Sequence, residues 1–192
     1  MQPGTQDFSS VRIEVPSWID ELVASHASSL ATPESRMDLA IALSRASVEH
    51  GGSPFGAVVC AGDQVIAGGA NLVLSSGFSL AHAEVVTILR AQQKLASGAV
   101  FPRPYTLYTS AEPCCQCFGA FVWSGIDALV SGATTADVER IGFDEGPKPK
   151  DWERVLANKG FSVTQELRRA EAVTVLELYR TRGGALYGPC ER

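Results

Sequence analysis

The sequence lacks any apolar run approaching the roughly 18 consecutive residues that a membrane-spanning helix needs. It also lacks an excess of basic residues, because 16 Lys and Arg are outnumbered by 21 Asp and Glu, and the formal net charge is −5. Nucleic-acid-binding proteins neutralise phosphates with Lys and Arg, so this balance argues against a nucleic-acid partner. The N-terminus has no basic segment followed by an apolar stretch, and thus no recognisable targeting segment. These absences predict a cytoplasmic protein that binds neither membranes nor nucleic acids.

Cysteine and histidine are scarce, with five and three copies in 192 residues. An odd number of cysteines without a regular spacing does not build a disulfide framework, and it fits a reducing compartment. The hydrophobic fraction of 45% and the charged fraction of 19% are ordinary for a globular protein. A chain of this length buries roughly 70% of its unfolded surface, so we expect one compact core.

Two short motifs use three of these scarce residues. His82 and Glu84 form the pattern H-x-E, and Pro113, Cys114 and Cys117 form P-C-x-x-C. Zn²⁺ binds imidazole nitrogen and thiolate sulfur in a tetrahedral shell, and a catalytic site leaves one of the four positions for water. His82, Cys114 and Cys117 are therefore candidate zinc ligands. The joint pattern is typical of zinc deaminases, in which the Glu moves protons and does not bind the metal.

Local structure favours the same site. Proline has no N–H to leave unpaired in the first turn of a helix, so Pro113 predicts a helix that begins there. Cys114 and Cys117 then lie on one face of it, and His82 begins another segment with helical periodicity. A helix N-terminus carries partial positive charge, which lowers the pKa of a thiol. Two helix starts are thus predicted to meet at the metal.

Other interpretations of the cysteines remain open. A redox pair would leave His82 and Glu84 without a role, and cysteines this close together on a helix form a disulfide poorly. A structural zinc in a non-enzymatic module requires a fourth ligand. The candidates for that ligand are His26, Cys60, Cys115 and Cys190.

Helices and strands are predicted to alternate along the chain, after an extended arm over residues 1–16. Helices are predicted from Ser17, over 35–50, from His82, from Pro113, over 134–142, 152–158 and 168–179, and strands over 55–61, 65–70, 105–109, 126–132 and 161–167. Residues 72–81, rich in Ser and Gly, are predicted to be a loop. The strand, helix, strand order between 105 and 132 implies parallel neighbours in one sheet with helices on its faces, which is an α/β fold.

The motifs resemble those of the cytidine-deaminase-like superfamily and, within it, the short bacterial guanine deaminases. The similarity is most visible in residues 52–58, 81–84, 109–114 and 141–146, and Gly-Phe-Asp-Glu-Gly in the last segment resembles guanine deaminases in particular. The resemblance implies a three-layer α/β/α fold with a mixed five-stranded sheet and one catalytic zinc per subunit. It implies a homodimer in which exchanged C-terminal elements cover the partner's site. Residues 35–192 would form the zinc-dependent deaminase domain, preceded by an N-terminal arm and helix in 1–34.

The resemblance also implies a reaction and its residues. Guanine would be hydrolysed to xanthine and ammonia, with Glu84 as the proton shuttle and Glu145, together with Asp144, as a second proton-handling acid. The implied contacts to the substrate are Phe55, Asn71, Ala83 and Asp144.

Other substrates of the same chemistry stay open. A triazine, a pterin or cytosine could replace guanine as the amino-heterocycle. A tRNA adenosine deaminase shares the zinc motif, but it would present a basic surface to RNA, which the acidic composition disfavours.

Overall fold

The structure is a computed structural model, which describes residues 10–26, 30–99 and 102–188. One mixed sheet has the strand order β2-β1-β3-β4-β5. The strands are β1 (Gly56–Ala61), β2 (Gln64–Ala70), β3 (Tyr105–Ala111), β4 (Ala128–Ala133) and β5 (Ser162–Thr164). Strand β1 is antiparallel to β2 and β3, whereas β3, β4 and β5 are parallel. The predicted mixed five-stranded sheet is confirmed.

Helices cover both faces of this sheet. They are α1 (Ser17–His26), α2 (Pro33–Glu49), α3 (Val73–Ser76), α4 (Ala83–Ala96), α5 (Cys115–Trp123), α6 (Thr135–Arg140), α7 (Trp152–Ala157) and α8 (Arg169–Thr181). Successive strand side chains point to opposite faces. Val58 and Cys60 of β1 therefore pack with α1, α2 and α8, whereas Ala57 and Val59 pack with α4, α5 and α7. This arrangement confirms the predicted three-layer α/β/α fold.

Two helices begin two residues away from the predicted start. Helix α2 begins at Pro33, two residues before the predicted start, because the Thr32 side chain accepts a hydrogen bond from the Ser35 N–H and caps the helix. Helix α5 begins at Cys115 rather than Pro113, with Cys114 as its N-cap residue. The proline thus precedes the helix, and a zinc-ligand candidate lies at the boundary.

The segments 72–81 and 161–167 also differ from prediction. Residues 72–81 are not entirely loop, since they contain the single turn of α3, which ends at Gly77 with φ of 72°. Strand β5 covers only Ser162–Thr164 of the predicted seven residues. It stops because Glu166 and Arg168 adopt φ of 61° and 56°, values that a strand does not accommodate.

Helix α1 packs on the main domain, because Ile19 is fully buried in the same core as residues of α2 and α8. Residues 10–16 of the predicted arm contain neither helix nor strand, and residues 1–9 lie outside the described part. No helix in the described ranges is both long and apolar enough to span a bilayer.

Candidate active site

The candidate zinc ligands come together where helices α4 and α5 begin. His82 is the N-cap residue of α4, Cys114 is the N-cap residue of α5, and Cys117 follows in the first turn of α5. The Nδ1 atom of His82 is 3.5 Å from the sulfur of Cys114 and 3.5 Å from that of Cys117. All three potential ligand atoms lie within 4.8 Å of one another. The predicted convergence of two helix starts is confirmed.

The donor atoms fit a zinc ion. A hydrogen bond with Cys117 and the nearby His82 lower the pKa of the Cys114 thiol to about 4. The pKa of Cys117 is raised well above its usual value, first by its bond to Cys114 and then by burial. The pair therefore carries one thiolate at neutral pH, and a bound dication would displace the remaining thiol proton. One imidazole nitrogen and two sulfurs are the donors of a Cys₂His catalytic zinc site.

A closed structural site would need a fourth ligand. Within the described ranges, no other His, Cys, Asp or Glu joins the three-residue group. Cys60 is buried in the core beneath α2, and His26 Nδ1 is 2.9 Å from the carbonyl oxygen of Leu22 in its own helix. Cys190 lies outside the described residues. The geometry therefore favours a site with three protein ligands.

Glu84 lies beside the ligands in the first turn of α4, with 6% of its surface exposed. The hydroxyl of Thr109 donates to Glu84 Oε1 at 3.1 Å, and the thiol of Cys117 donates to Oε2 at 3.3 Å. Burial raises the pKa of Glu84, and the negative charge of Cys114 raises it further. A carboxyl group with a raised pKa next to a metal site is suited to accept and return a proton.

Glu145 approaches the same cavity from the segment between α6 and α7. Its carboxylate is buried, and Oε2 has no hydrogen-bond partner in the protein. Burial and the charge of Cys114 raise the pKa of Glu145 to about 8, although the ammonium group of Lys148 opposes the shift. Neighbouring Asp144 is exposed and accepts a hydrogen bond from the Gly146 N–H at 2.7 Å. The two acids thus differ, because one is buried and one lies in contact with solvent.

These residues surround a cavity of about 320 Å³. Its lining residues are Phe55, Ser79, His82, Glu84, Glu112, Cys114, Cys115, Gln116, Phe143, Asp144, Glu145, Gly146, Tyr187 and Gly188. Cavities of this size accommodate small-molecule ligands. The site is therefore shaped for a small ring rather than for an extended surface.

The predicted substrate contacts lie at different depths. Phe55 lines the cavity and packs edge-on against Phe143 at 5.2 Å between ring centroids. Asn71 is buried at the end of β2, where its Oδ1 accepts a bond from the Val73 N–H and its Nδ2 has no partner in the protein. The Ala83 side chain is buried in the hydrophobic core and does not line the cavity.

Tyr187 is a cavity residue that the sequence motifs did not predict. Its ring lines the cavity 6.4 Å from the His82 ring and 5.5 Å from that of Phe143, and burial raises the pKa of its hydroxyl to about 12. The tail reaches this position because Leu186 packs against Gly142, where a Cβ atom would lie 2.6 Å from the leucine side chain. The sequence feature that could have indicated this position is the apolar pair Leu186-Tyr187 within the glycine-rich tail.

The chain is similar in sequence to several known deaminases. The family described as the cytidine and deoxycytidylate deaminase zinc-binding region matches residues 31–133. The guanine deaminase of Bacillus subtilis is 39% identical over 113 residues, which cover 58% of this chain and 71% of the relative. A tRNA-specific adenosine deaminase of Buchnera aphidicola is 30% identical over 154 residues, or 76% of this chain and 86% of the relative.

Solved structures extend the similarity to the whole fold. The guanine deaminase of Nitrosomonas europaea is 37% identical and superposes with a TM-score of 0.82, covering 92% of this chain and 99% of that chain. The same identity, coverage and TM-score hold for an NE0047 mutant in complex with 8-azaguanine.

Proposed function

This chain belongs to the zinc-binding family of cytidine and deoxycytidylate deaminases and is a zinc-dependent aminohydrolase, and from that premise we propose that it hydrolyses guanine to xanthine and ammonia. The similarity to guanine deaminases at 37–39% identity carries the proposal. A related structure that binds 8-azaguanine supports a purine-like substrate. The acidic chain and the small cavity argue against RNA, although a tRNA-specific adenosine deaminase is also a relative.

We propose that His82, Cys114 and Cys117 hold the zinc ion. Bound zinc supplies Lewis-acid chemistry that makes water a nucleophile near neutral pH. The protein's contribution is to keep three donors together at two helix starts and to leave no fourth protein ligand in the described group. The cavity on the open side is where the substrate ring would lie.

We propose that Glu84 carries the proton between water and substrate. Its buried carboxylate takes a proton from the attacking water and delivers it to the ring nitrogen next to the amine-bearing carbon. That carbon becomes more electrophilic as water attacks, and ammonia then leaves. Burial supports the assignment, because it raises the pKa of Glu84 above its usual value and so makes the carboxylate a stronger proton acceptor.

Glu145 is proposed as the second acid, which protonates the leaving amine and regains a proton from the hydroxyl group that the water supplied. Burial raises the pKa of Glu145, which favours a carboxyl group that can hold a proton. The proposed contacts to the purine are the ring of Phe55, the side-chain amide of Asn71, the carboxylate of Asp144 and the main chain of Ala83. Asn71 Nδ2 and Glu145 Oε2 are buried without partners in the protein, so a ring with matching donors and acceptors would satisfy them.

Ammonia release from a substrate panel tests the proposal. The zinc-loaded protein is incubated with guanine, adenine, cytosine, cytidine, adenosine, ammeline and a tRNA transcript, and each sample is matched by the metal-free protein. Release from guanine above the other compounds is expected. Release only from tRNA would establish the adenosine deaminase alternative, and release from ammeline or cytosine would reassign the heterocycle.

We further propose a cytoplasmic homodimer. Helices α4 and α5 expose Leu89 and Trp123, whose exposed fractions are 51% and 87%. The two helices are neighbours, because the side-chain amide of Gln92 in α4 donates a hydrogen bond to the carbonyl oxygen of Ser124 at the end of α5. Large apolar side chains on adjacent helices support an interface with a second copy.

Tyr187 and Gly188 of the C-terminal tail line the cavity of their own chain here. Exchange of the tail between subunits therefore stays a prediction. The division of the chain into an N-terminal segment and a deaminase domain at residue 34 also stays a prediction.

A further inference from the structure

Two charged side chains beside the cavity have no role in the proposed chemistry. Glu112 and Lys148 have 8% and 9% of their side chains exposed, and Glu112 Oε2 lies 3.7 Å from Lys148 Nζ. Charged groups are rarely buried to this extent unless they are paired and hydrogen-bonded. The hydrogen-bond partners of Glu112 and Lys148 therefore indicate which parts of the chain the pair connects.

Glu112 joins three separate parts of the chain. It lies directly after β3, and its Oε2 accepts hydrogen bonds from both the N–H and the hydroxyl of Thr135 at the start of α6, at 3.0 and 2.8 Å. Its Oε1 accepts a bond from the side chain of Gln165, directly after β5, at 2.9 Å. Both oxygens of the buried carboxylate are thus satisfied by fixed donors.

Lys148 connects this centre to the turn that carries the zinc-ligand candidates. Its ammonium group donates to the carbonyl oxygen of Pro113 at 2.8 Å and to the hydroxyl of Thr135 at 2.7 Å. Pro113 immediately precedes Cys114, and Lys148 is three residues beyond Glu145. The lysine therefore ties the segment that carries the second acid to the turn that carries a metal ligand.

A second connection lies at the acid itself. The N–H of Cys115 donates to the main-chain carbonyl oxygen of Glu145 at 2.9 Å. Residues 145–148 are thus attached to the start of α5 at both ends. Loss of the Lys148 side chain would remove its bonds to Pro113 and Thr135. Of the bonds described here, only the one from the Cys115 N–H would then hold residues 145–148 against the start of α5.

We propose that Lys148, seated by Glu112 and Thr135, is a positioning residue that holds Glu145 over the cavity. The proposal rests on the proposed function, in which Glu145 protonates the leaving amine. Misplacement of a reacting group by about 1 Å can lower a rate about a hundredfold, so a tether without substrate contact can still affect turnover.

The first experiment compares K148M with K150M. Both variants remove one positive charge from the same segment, but Lys150 is exposed, whereas Lys148 makes the buried bonds. We expect kcat on guanine to fall about 10- to 100-fold in K148M and to change less than twofold in K150M. The zinc content should stay within about twofold of wild type, because Lys148 contacts no metal-ligand side chain. KM should change less than kcat, because Lys148 does not itself line the cavity.

The second experiment compares T135V with T135S and does not depend on the folding of K148M. Valine removes the hydroxyl that binds Glu112 and Lys148, and serine retains it. We expect kcat to fall about three- to tenfold in T135V and to stay near the wild-type value in T135S. Equal kcat values in the two variants, or equal values in K148M and K150M, would overturn the proposal.

Hydrogen exchange supplies a readout that needs no substrate. The Cys115 amide is expected to exchange at least tenfold faster in K148M and T135V than in K150M and T135S, because it donates to Glu145. Faster exchange with no activity on guanine in wild type would reject the proposed substrate but retain the tether. Unchanged exchange, or a loss of zinc equal to the loss of kcat, would reject the tether.

Discussion

Glu84 is a carboxyl group held between a hydroxyl and a thiol, with little contact with solvent. We predict that E84Q lowers kcat about a thousandfold, since proton transfer by a positioned side chain contributes 10²–10⁴-fold. Glutamine keeps the size and the acceptor for Thr109, so zinc should be retained at the wild-type level. Steady-state kinetics and atomic absorption measure the two quantities. Full activity in E84Q would exclude the shuttle.

The neighbouring cysteines allow a residue-by-residue test of the metal site. We predict that H82A, C114S and C117S each lose most of the zinc, because each removes one of three donors. C115S is the matched control, since it changes a cysteine next to Cys114 that does not belong to the group. Zinc bound per chain is measured after dialysis against a weak chelator. Loss of zinc in C115S or C190S would instead indicate a four-ligand structural site.

At the scale of elements, helices α6 and α8 are joined by Asp137. This buried carboxylate completes the capping box of α6 with Thr134 and binds Arg169 at 2.7 and 3.1 Å and Arg140 at 3.0 Å. The hydrogen bonds with Arg169 hold the pKa of Asp137 well below its usual range. Its contribution to stability is therefore present above the unfolded-state pKa of about 4 and is lost as pH falls through the lower folded-state value.

We predict that D137N lowers the free energy of unfolding by about 2 kcal/mol at pH 7, because two partly exposed arginines lose a charged acceptor. The difference from wild type should shrink when the pH is lowered below about 4, where the unfolded chain no longer carries this charge. Urea denaturation of D137N and wild type at pH 7 and at a pH below about 4 measures this difference in the free energy of unfolding. E139Q, on an exposed position of the same helix, is the control and should change stability by less than about 0.5 kcal/mol. A pH-independent difference would contradict the prediction.

The segment between α6 and α7 is constrained by Gly146. Its φ is 67°, and an added Cβ would lie 2.5 Å from the Cys115 sulfur. We predict that G146A lowers kcat at least tenfold, since the methyl group forces either the Cys115 side chain or the segment that carries Glu145 to shift. Gly160 has φ of 89° and no atom near an added Cβ, so G160A carries the same backbone cost without the contact. Equal kcat values in the two variants would show that the contact is unimportant.

At the scale of the whole molecule, the exposed face of α4 and α5 predicts self-association. Sedimentation equilibrium should give twice the chain mass of 20.4 kDa. W123E should shift the equilibrium toward the monomer, because a charge replaces an apolar side chain at the proposed interface. A170E, at an exposed position of α8 on the other face of the sheet, is the control and should remain dimeric. A monomeric wild-type protein would reject the interface.

The candidate metal ligands, the adjacent acid and most of the sheet that carries them could be predicted from the residues alone. Donor chemistry identifies His82, Cys114 and Cys117 as candidates, because few side chains bind zinc. Glu84 is identified by its place in the H-x-E motif, two residues after His82. Strands β1 to β4 were predictable for a related reason, since their apolar runs are bounded by turn residues. Both signals are local, so they can be read without knowing which parts of the chain meet.

The way in which distant segments complete the site became clear only from the folded chain. Glu112 and Gln165 form a hydrogen bond although they are 53 residues apart in the sequence. From the sequence, Glu112 was predicted only to be an acidic residue just before a helix. Tyr187 reaches the cavity because Gly142 leaves room for Leu186, and β5 ends early because the chain turns at Glu166. Such contacts depend on packing between elements. A linear pattern records which side chains are available, whereas the folded core determines which of them are neighbours.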